Sequence, residues 1–125
     1  MSLKNGDWKM NENGAETTLT INNVDPNTGV VSGMIVNVGP FNGLWDETSR
    51  TITFASDTPN PGAIPRLRVY KGFLFSTPRN PAPGQDVLWT LAGFVQITDL
   101  GTALNMGGNA RRNVFGWFAQ ITEVA

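Results

Sequence analysis

The chain has 125 residues, 40% of them hydrophobic, and a formal net charge of −1, which is the size and composition of one folded domain. It contains no Cys and no His, which excludes disulfides, thiolate nucleophiles, imidazole bases and Cys or His metal ligands. The sequence has no run of like charges, so it does not predict a nucleic-acid partner. No apolar run is long enough to span a bilayer. We expect a soluble single domain over residues 1–125, without cofactor, metal, membrane contact or catalytic residues, in a compartment that the sequence leaves open.

Fourteen Gly and eight Pro divide the chain into short runs rich in β-branched and aromatic residues, a pattern typical of antiparallel sheets. Short links at residues 25–29 and 46–49 carry turn-forming residues and predict hairpins between successive strands. The predicted strands cover residues 6–12, 17–23, 29–38, 40–46, 50–56, 66–76, 86–98 and 113–123. Eight strands joined in this way predict an all-β fold, an up-and-down antiparallel β-barrel closed on itself.

Three connections are longer than a hairpin, and long loops in a compact domain are often functional. Residues 57–65 and 77–85 are stiffened by proline, whereas residues 99–112 are rich in Gly and Asn. Residues 103–106 could form one turn of helix that caps a barrel mouth. Ordinary surface connections explain the three segments equally well.

Strict alternation along each strand assigns side chains to an inner or an outer face. Trp8, in the polar stretch GDWKMNENG, is expected to pack the closed end of the barrel near Trp45, with a place in a pocket wall as the alternative. The inner set is apolar and fills much of a small barrel. It comprises Trp8, Met10, Leu19, Ile21, Val31, Ile35, Phe41, Trp45, Ile52, Phe54, Tyr70, Leu74, Trp89, Leu91, Val95 and Ile121.

The predicted outer face is unusually apolar on strands 3, 6, 7 and 8. Exposed patches of this extent usually mark an interface, so the pattern predicts a homodimer or homotetramer with isologous contacts. A bulge at Gly72 or Gly93 would exchange the two faces and remove this prediction. The outer set comprises Met34, Val36, Val69, Phe73, Phe75, Leu88, Phe94 and, in one of the registers that the sequence leaves open for strand 8, Phe118.

Several stretches that follow one another along nearly the whole chain resemble the avidin and streptavidin family of eight-stranded barrels. Gly6-Asp7-Trp8 resembles the family's opening G-x-W, and residues 42–46, NGLWD, stand where the family has G-x-Y-D. Trp89-Thr90-Leu91 and the closing FAQIT of residues 118–122 follow in the family's order. The family binds biotin inside one end of the barrel and associates barrel against barrel, so the resemblance implies a ligand pocket and a homo-oligomer.

The resemblance implies that this chain keeps part of the aromatic cage that surrounds the apolar body of biotin in the family. Family tryptophans on strands 5, 6 and 7 match Phe54, Tyr70 and Trp89. A pocket leucine on strand 7 matches Leu91.

The polar set that surrounds the ureido ring of biotin is largely lost. The family's strand-1 Asn falls on Met10, or on Asn11 if the strand shifts by one and turns that side chain to the other face. Its strand-3 Tyr falls on Ile35, and the Ser two residues later falls on Asn37. Each lost partner leaves a desolvated ligand group without a hydrogen bond, at a cost of about 1–3 kcal/mol. The resemblance therefore implies a degenerate site that does not hold biotin with high affinity.

The pocket mouth also differs, because Arg66 and Arg68 stand where the family has short hydroxyl residues. If Arg68 faces inward with Tyr70, its guanidinium suits capture of a carboxylate, phosphate or sulfate. Otherwise both arginines lie at the rim in water, paired with Asp57 or Asp86. The candidate ligand-binding residues are Met10, Ile35, Asn37, Phe54, Arg68, Tyr70, Trp89 and Leu91.

Three functions remain after these considerations. The first is a non-enzymatic avidin-like protein that binds a small ligand, biotin-like or another small acid, in the barrel. The second is a carbohydrate- or protein-interaction module, a barrel-type protease inhibitor included, that uses the loops of a filled barrel. In that case Trp117 and residues 105–112 would offer stacking and hydrogen bonds. The third is weak residual binding of biotin.

Overall fold

The computed structural model describes residues 3–56, 66–99 and 111–124. Each strand pairs antiparallel with its neighbours in the chain, and β1 also pairs with β8, so that the sheet closes on itself. The predicted all-β, eight-stranded, up-and-down barrel is therefore confirmed. The strands are β1 Gly6–Glu12, β2 Ala15–Val24, β3 Val30–Ile35, β4 Gly39–Asp46, β5 Thr51–Ser56, β6 Arg66–Thr77, β7 Asp86–Asp99 and β8 Arg111–Val124.

Two of the observed strand boundaries differ from the predicted ones because of tight turns. β2 begins at Ala15 rather than residue 17, because Asn13 and Gly14 both adopt positive φ and reverse the chain within two residues. β3 ends at Ile35 rather than residue 38, because Asn37 takes a φ of 67° and the Val38 N–H donates to the Ile35 carbonyl over 3.0 Å.

The two predicted hairpins are confirmed, and each is closed by an Asp at its start. Asp25 Oδ1 accepts from the Asn27 and Thr28 amides at 2.8 and 3.3 Å. Gly29 completes that turn with a φ of +78°, and a Cβ there would lie 2.4 Å from the Trp45 carbonyl oxygen, so this position requires glycine. Asp46 Oδ1 accepts from the Thr48 amide at 2.9 Å in the same manner.

Alternating strand direction places the connections at two opposite ends of the barrel. The end where β1 finishes, called here the Glu12 end, carries the turn at Asn13 and the turn at residues 36–38. The opposite end, called the Trp45 end, carries residues 25–29, residues 47–50 and the loop at 78–85. The connections 57–65 and 100–110, with the predicted cap at 103–106, lie outside the described residues. Within the described ranges there is no helix that is long and apolar enough to cross a membrane.

The predicted inner face is confirmed: every residue of that set is buried except Ile121, which is partly buried. Trp8 is fully buried, and its indole N–H donates to the Lys4 carbonyl over 3.1 Å, in agreement with a packing role. β6 and β7 pair without a register shift and place Gly72 opposite Gly93, so the faces are not exchanged there. Among the described residues, four buried apolar ones lie outside the predicted set: Leu3, Val87, Trp117 and Ala119.

The predicted outer face is also apolar in the structure. Phe73, Phe75, Phe94 and Phe118 are 43–50% exposed, and Met34 and Val36 on the other side of the barrel are exposed to a similar degree. Two further members of the predicted set, Val69 and Leu88, are half-buried.

Candidate functional site

Four aromatic rings fill the barrel interior between β4, β5, β6 and β8, and we call them the aromatic cluster: Phe41, Phe54, Tyr70 and Trp117. The Phe54 and Tyr70 rings are stacked, with centroids 4.6 Å apart and planes 9° from parallel. The Phe41 ring is tilted against Phe54 at 4.6 Å, and the Trp117 indole meets both Phe54 and Tyr70 edge-on at 5.7 Å. The two matched cage aromatics on β5 and β6 therefore pack against each other.

An inward-facing glycine makes room for the largest of these rings. Gly72 and Gly93 are paired across β6 and β7, and a Cβ at Gly72 would lie 2.6 Å from Cζ2 of Trp117. The indole N–H of Trp117 donates to the Phe94 carbonyl at 2.9 Å and, less closely, to the Lys71 carbonyl at 3.3 Å. The expectation that Trp117 offers a stacking surface among the loops is wrong, because the indole lies in the core with its polar atom already bonded.

Polar side chains meet across the Glu12 end of the barrel. Glu12 ends β1, whereas Arg68 and Tyr70 face inward near the start of β6, and β7 and β8 separate these two strands in the sheet. The Tyr70 hydroxyl donates to Glu12 Oε1, and Glu12 Oε2 lies 3.9 Å from Arg68 Nε. The three side chains thus form a polar bar across the mouth, with the aromatic cluster below it.

The charged members of the polar bar are largely withdrawn from water. The Arg68 and Glu12 side chains are only 20% and 17% exposed. Arg68 Nε is buried and finds no hydrogen-bond acceptor within residues 3–56, 66–99 and 111–124. A separation of 3.9 Å from Glu12 is too long for a hydrogen bond, so the pair is held by charge alone at that atom.

Burial and the neighbouring carboxylate keep Tyr70 in its protonated form. Burial raises the pKa of the Tyr70 phenol far above its usual range, and the hydrogen bond to Glu12 and the charge of that carboxylate raise it further, against a smaller lowering by Arg68. At neutral pH the phenol is therefore a hydrogen-bond donor that orients the Glu12 carboxylate.

The structure brings only some of the predicted site residues to, or next to, the polar bar. Tyr70 and Arg68 belong to the polar bar, Phe54 lies against Tyr70, and Met10 is buried on β1 two positions before Glu12. Of the alternative partners for the arginines, Asp57 lies outside the described residues. Asp86 begins β7 at the opposite end from Arg68, and Arg66 is exposed.

The remaining predicted site residues are not part of the polar bar, although Asn37 and Ile35 lie at or next to a turn at the same end. Asn37 is exposed in the turn after β3, and Ile35 is buried at the end of that strand. Trp89 and Leu91 are buried in β7, and Trp89 pairs with Ser76, six residues along β6 from Tyr70. That spacing is about 20 Å along the strand, which places Trp89 toward the Trp45 end.

Sequence reasoning missed two residues that shape this site. Glu12 continues the inward alternation of Trp8 and Met10, and a carboxylate in that phase was a readable signal for a polar contact inside the mouth. Trp117 lies two positions before Ala119 on the inner face of β8. The uncertain register of that strand hid its direction.

The described residues also line depressions away from the polar bar. One, of about 870 Å³, lies at the Trp45 end, where the Asp25 and Asp46 carboxylates accept hydrogen bonds from their own turns. Another, of about 530 Å³, lies on the outer face of β8, β1 and β2 beside Phe118. Among the described residues, Asp and Glu form no group of three or more that is arranged to hold a metal ion.

No protein-family model, curated protein or solved structure matches this chain. The geometry of the barrel, and above all the polar bar at its Glu12 end, is therefore the basis on which a function is proposed.

Proposed function

We propose that the protein is a non-enzymatic, avidin-like binding protein that holds a small ligand at the Glu12 end of the barrel. The observation that carries the proposal is the buried Nε–H of Arg68, which has no acceptor among the described residues. An unpaired buried donor costs about 1–3 kcal/mol, so an acceptor that reaches it gains affinity. We also propose, on the same footing, that the protein is related to the avidins, that it forms a homo-oligomer and that it has no enzymatic activity.

The packing below the polar bar supports the view that the protein does not bind biotin with high affinity. A cage for an apolar ligand needs aromatic faces that are turned toward an open space. Phe54 and Tyr70 instead stack on each other, and Trp117 closes the cluster edge-on. In this proposal the ligand lies at the polar bar, and the aromatic cluster is a rigid support beneath it.

Intrinsic tryptophan fluorescence and thermal shift, measured on the same samples, test the proposal. The panel contains biotin, desthiobiotin, small carboxylic acids, small carboxamides and sugars. A ligand present at 100 times its dissociation constant stabilises the folded protein by about 2.7 kcal/mol, which a thermal shift detects. We expect a saturable response that Arg68→Ala weakens at least about tenfold, or 1.4 kcal/mol.

Arg79→Ala is the matched control, because Arg79 is an exposed arginine in the loop at the Trp45 end. It is expected to bind as the wild type does. Arg68→Lys keeps the positive charge but lacks the guanidinium Nε–H, so it separates that donor from the charge. If no compound gives a saturable response, or if Arg68→Ala binds as the wild type does, the proposed site is wrong.

A separate observation favours self-association as a second role of the barrel wall. Phe73 and Phe118 flank Ala92 on the outer face of β6, β7 and β8, with Phe75 and Phe94 nearby, and we call these four rings the outer phenylalanine patch. All four are at least 43% exposed. We propose that this patch is the contact between copies in a homodimer or homotetramer.

A further inference from the structure

The Glu12 and Arg68 pair also specifies the chemical class of the ligand, an inference that rests on the proposed function. The pair places one negative and one positive charge 3.9 Å apart, so the two charges cancel. Tyr70 occupies Oε1 of Glu12, whereas Oε2 is beyond hydrogen-bond distance of Arg68 Nε. One donor and one acceptor therefore lie side by side, and each has capacity for a further hydrogen bond.

We propose that the site takes a neutral carboxamide. Its carbonyl oxygen accepts from Arg68 Nε, and its N–H donates to Glu12 Oε2. A carboxamide carries this acceptor and donor next to each other on one planar group, which matches the order in which the protein presents its own. Tyr70 keeps Oε1 throughout and fixes the direction of the carboxylate.

The charge balance of the pair disfavours an acid in the same place. A ligand carboxylate gains from Arg68, but it approaches Glu12 within a few ångströms at a site where both side chains are about four-fifths buried. Like charges repel more strongly there than in water. A carboxylate also has no N–H for Oε2. The proposed carboxamide therefore replaces the anion that the sequence led us to expect as the ligand of Arg68.

Benzamide and benzoate provide a matched test, because they have nearly the same shape and differ in charge and in the N–H. Each is titrated into the wild type, with the Arg68 Nε–H signal and the indole signals followed by NMR. We expect benzamide to bind at least about tenfold more tightly than benzoate, with a shift of the Arg68 Nε–H signal.

Glu12→Gln reverses the expected preference. The side-chain amide in this variant still offers an oxygen to the Tyr70 hydroxyl, but the charge of Arg68 is then no longer balanced, so benzoate is expected to bind more tightly than benzamide. Glu16→Gln is the control, because Glu16 is an exposed carboxylate near the same end, and it is expected to keep the wild-type preference.

The outcomes separate this inference from the proposed function. Equal or tighter binding of benzoate by the wild type overturns the carboxamide class and leaves a ligand site at Arg68 in place. If Glu12→Gln still prefers benzamide to benzoate, the carboxamide class is also overturned, because the charge balance between Glu12 and Arg68 would then not determine which compound binds. If neither compound binds to the wild type or to Glu12→Gln, and the panel is silent too, the proposed function fails and the inference fails with it.

Discussion

The indole of Trp117 lies directly over Gly72, and a Cβ on that glycine would lie 2.6 Å from Cζ2 of the indole. The ring is also held from its edge, because its N–H donates to the Phe94 carbonyl over 2.9 Å. The indole therefore has little freedom to move away from a new methyl group.

Gly72→Ala is expected to destabilise the protein by about 1–3 kcal/mol, because overpacking forces the surrounding side chains from their preferred positions. Urea unfolding measures the change. Gly116→Ala is the control, since the nearest atom to a Cβ at that position is 4.0 Å away.

A double variant tests whether the contact with Trp117 causes the loss. Gly72→Ala in a Trp117→Phe background is expected to cost less than in the wild type, which a double-mutant cycle measures. Equal costs in the two backgrounds would place the strain elsewhere.

Tyr70→Phe is expected to lower the free energy of unfolding by about 1–3 kcal/mol at neutral pH. The ring can keep its stacking on Phe54, but the Glu12 carboxylate loses its donor inside the mouth. Urea unfolding of this variant beside Phe54→Leu separates the hydrogen bond from the stacking. A Tyr70→Phe protein as stable as the wild type would show that the bond across the mouth adds no net stability.

Tyr70 also predicts an alkaline dependence of stability. Its pKa is raised in the folded protein, so the stabilisation is complete below the unfolded value of 10.0 and is lost as the pH rises from there toward the folded value. Because the chain has one Tyr, tyrosinate absorbance reports this group alone. We expect the absorbance to appear together with unfolding, and an ordinary titration of the folded protein near pH 10.0 would contradict the burial.

The carboxylates of Asp25 and Asp46 in the hairpin turns predict that the stability of the protein also falls in acid. Backbone hydrogen bonds from Asn27 and Thr28 lower the pKa of Asp25, and bonds from Ser49 and Thr48 lower that of Asp46. Their stabilisation is therefore present above the unfolded value of 3.8 and is lost as the pH falls below it toward the folded values.

Neutralising the two hairpin carboxylates tests this acid dependence. A double variant with Asp25→Asn and Asp46→Asn keeps a side-chain oxygen in each turn but removes the charge. Its thermal stability is expected to fall less steeply in acid than that of the wild type. The same slope in both proteins would show that other carboxylates control the acid unfolding.

The outer phenylalanine patch predicts an oligomer that depends on its exposed rings. Phe73→Glu and Phe118→Glu place charges on both sides of Ala92 and are expected to convert the assembly to monomers, as measured by analytical ultracentrifugation. Leu44→Glu, at an exposed apolar position on β4, is the control. A wild type that sediments as a monomer at all concentrations would exclude the proposed contact.

The sequence predicted the barrel because its turns and its alternation agree over nearly every strand. Asp25 and Gly29 mark a hairpin by local chemistry alone, and Trp8 shows its face by alternation with Met10. The position of Trp117 was not predictable in the same way, because its room comes from Gly72 on another strand. A glycine in a strand does not reveal which ring lies above it.

The candidate site was only partly predictable for a similar reason. Alternation turned Arg68 and Tyr70 inward, but their partner Glu12 lies on a strand that does not neighbour β6 in the sheet. Contacts across the lumen depend on the stagger of the closed barrel, which no single strand encodes. The resemblance drew attention to Trp89, whose register lies toward the other end.

The closure between β1 and β8 is the shortest seam of the sheet. β1 is paired with β8 at four positions, Lys9 to Glu12, whereas β7 and β8 are paired along fourteen, Asp86 to Asp99. A short seam that joins distant parts of the chain opens at a lower free energy than a long hairpin does. Amide protons at the seam are therefore expected to exchange with solvent before those in the middle of β7. The barrel wall is thus expected to open first between β1 and β8.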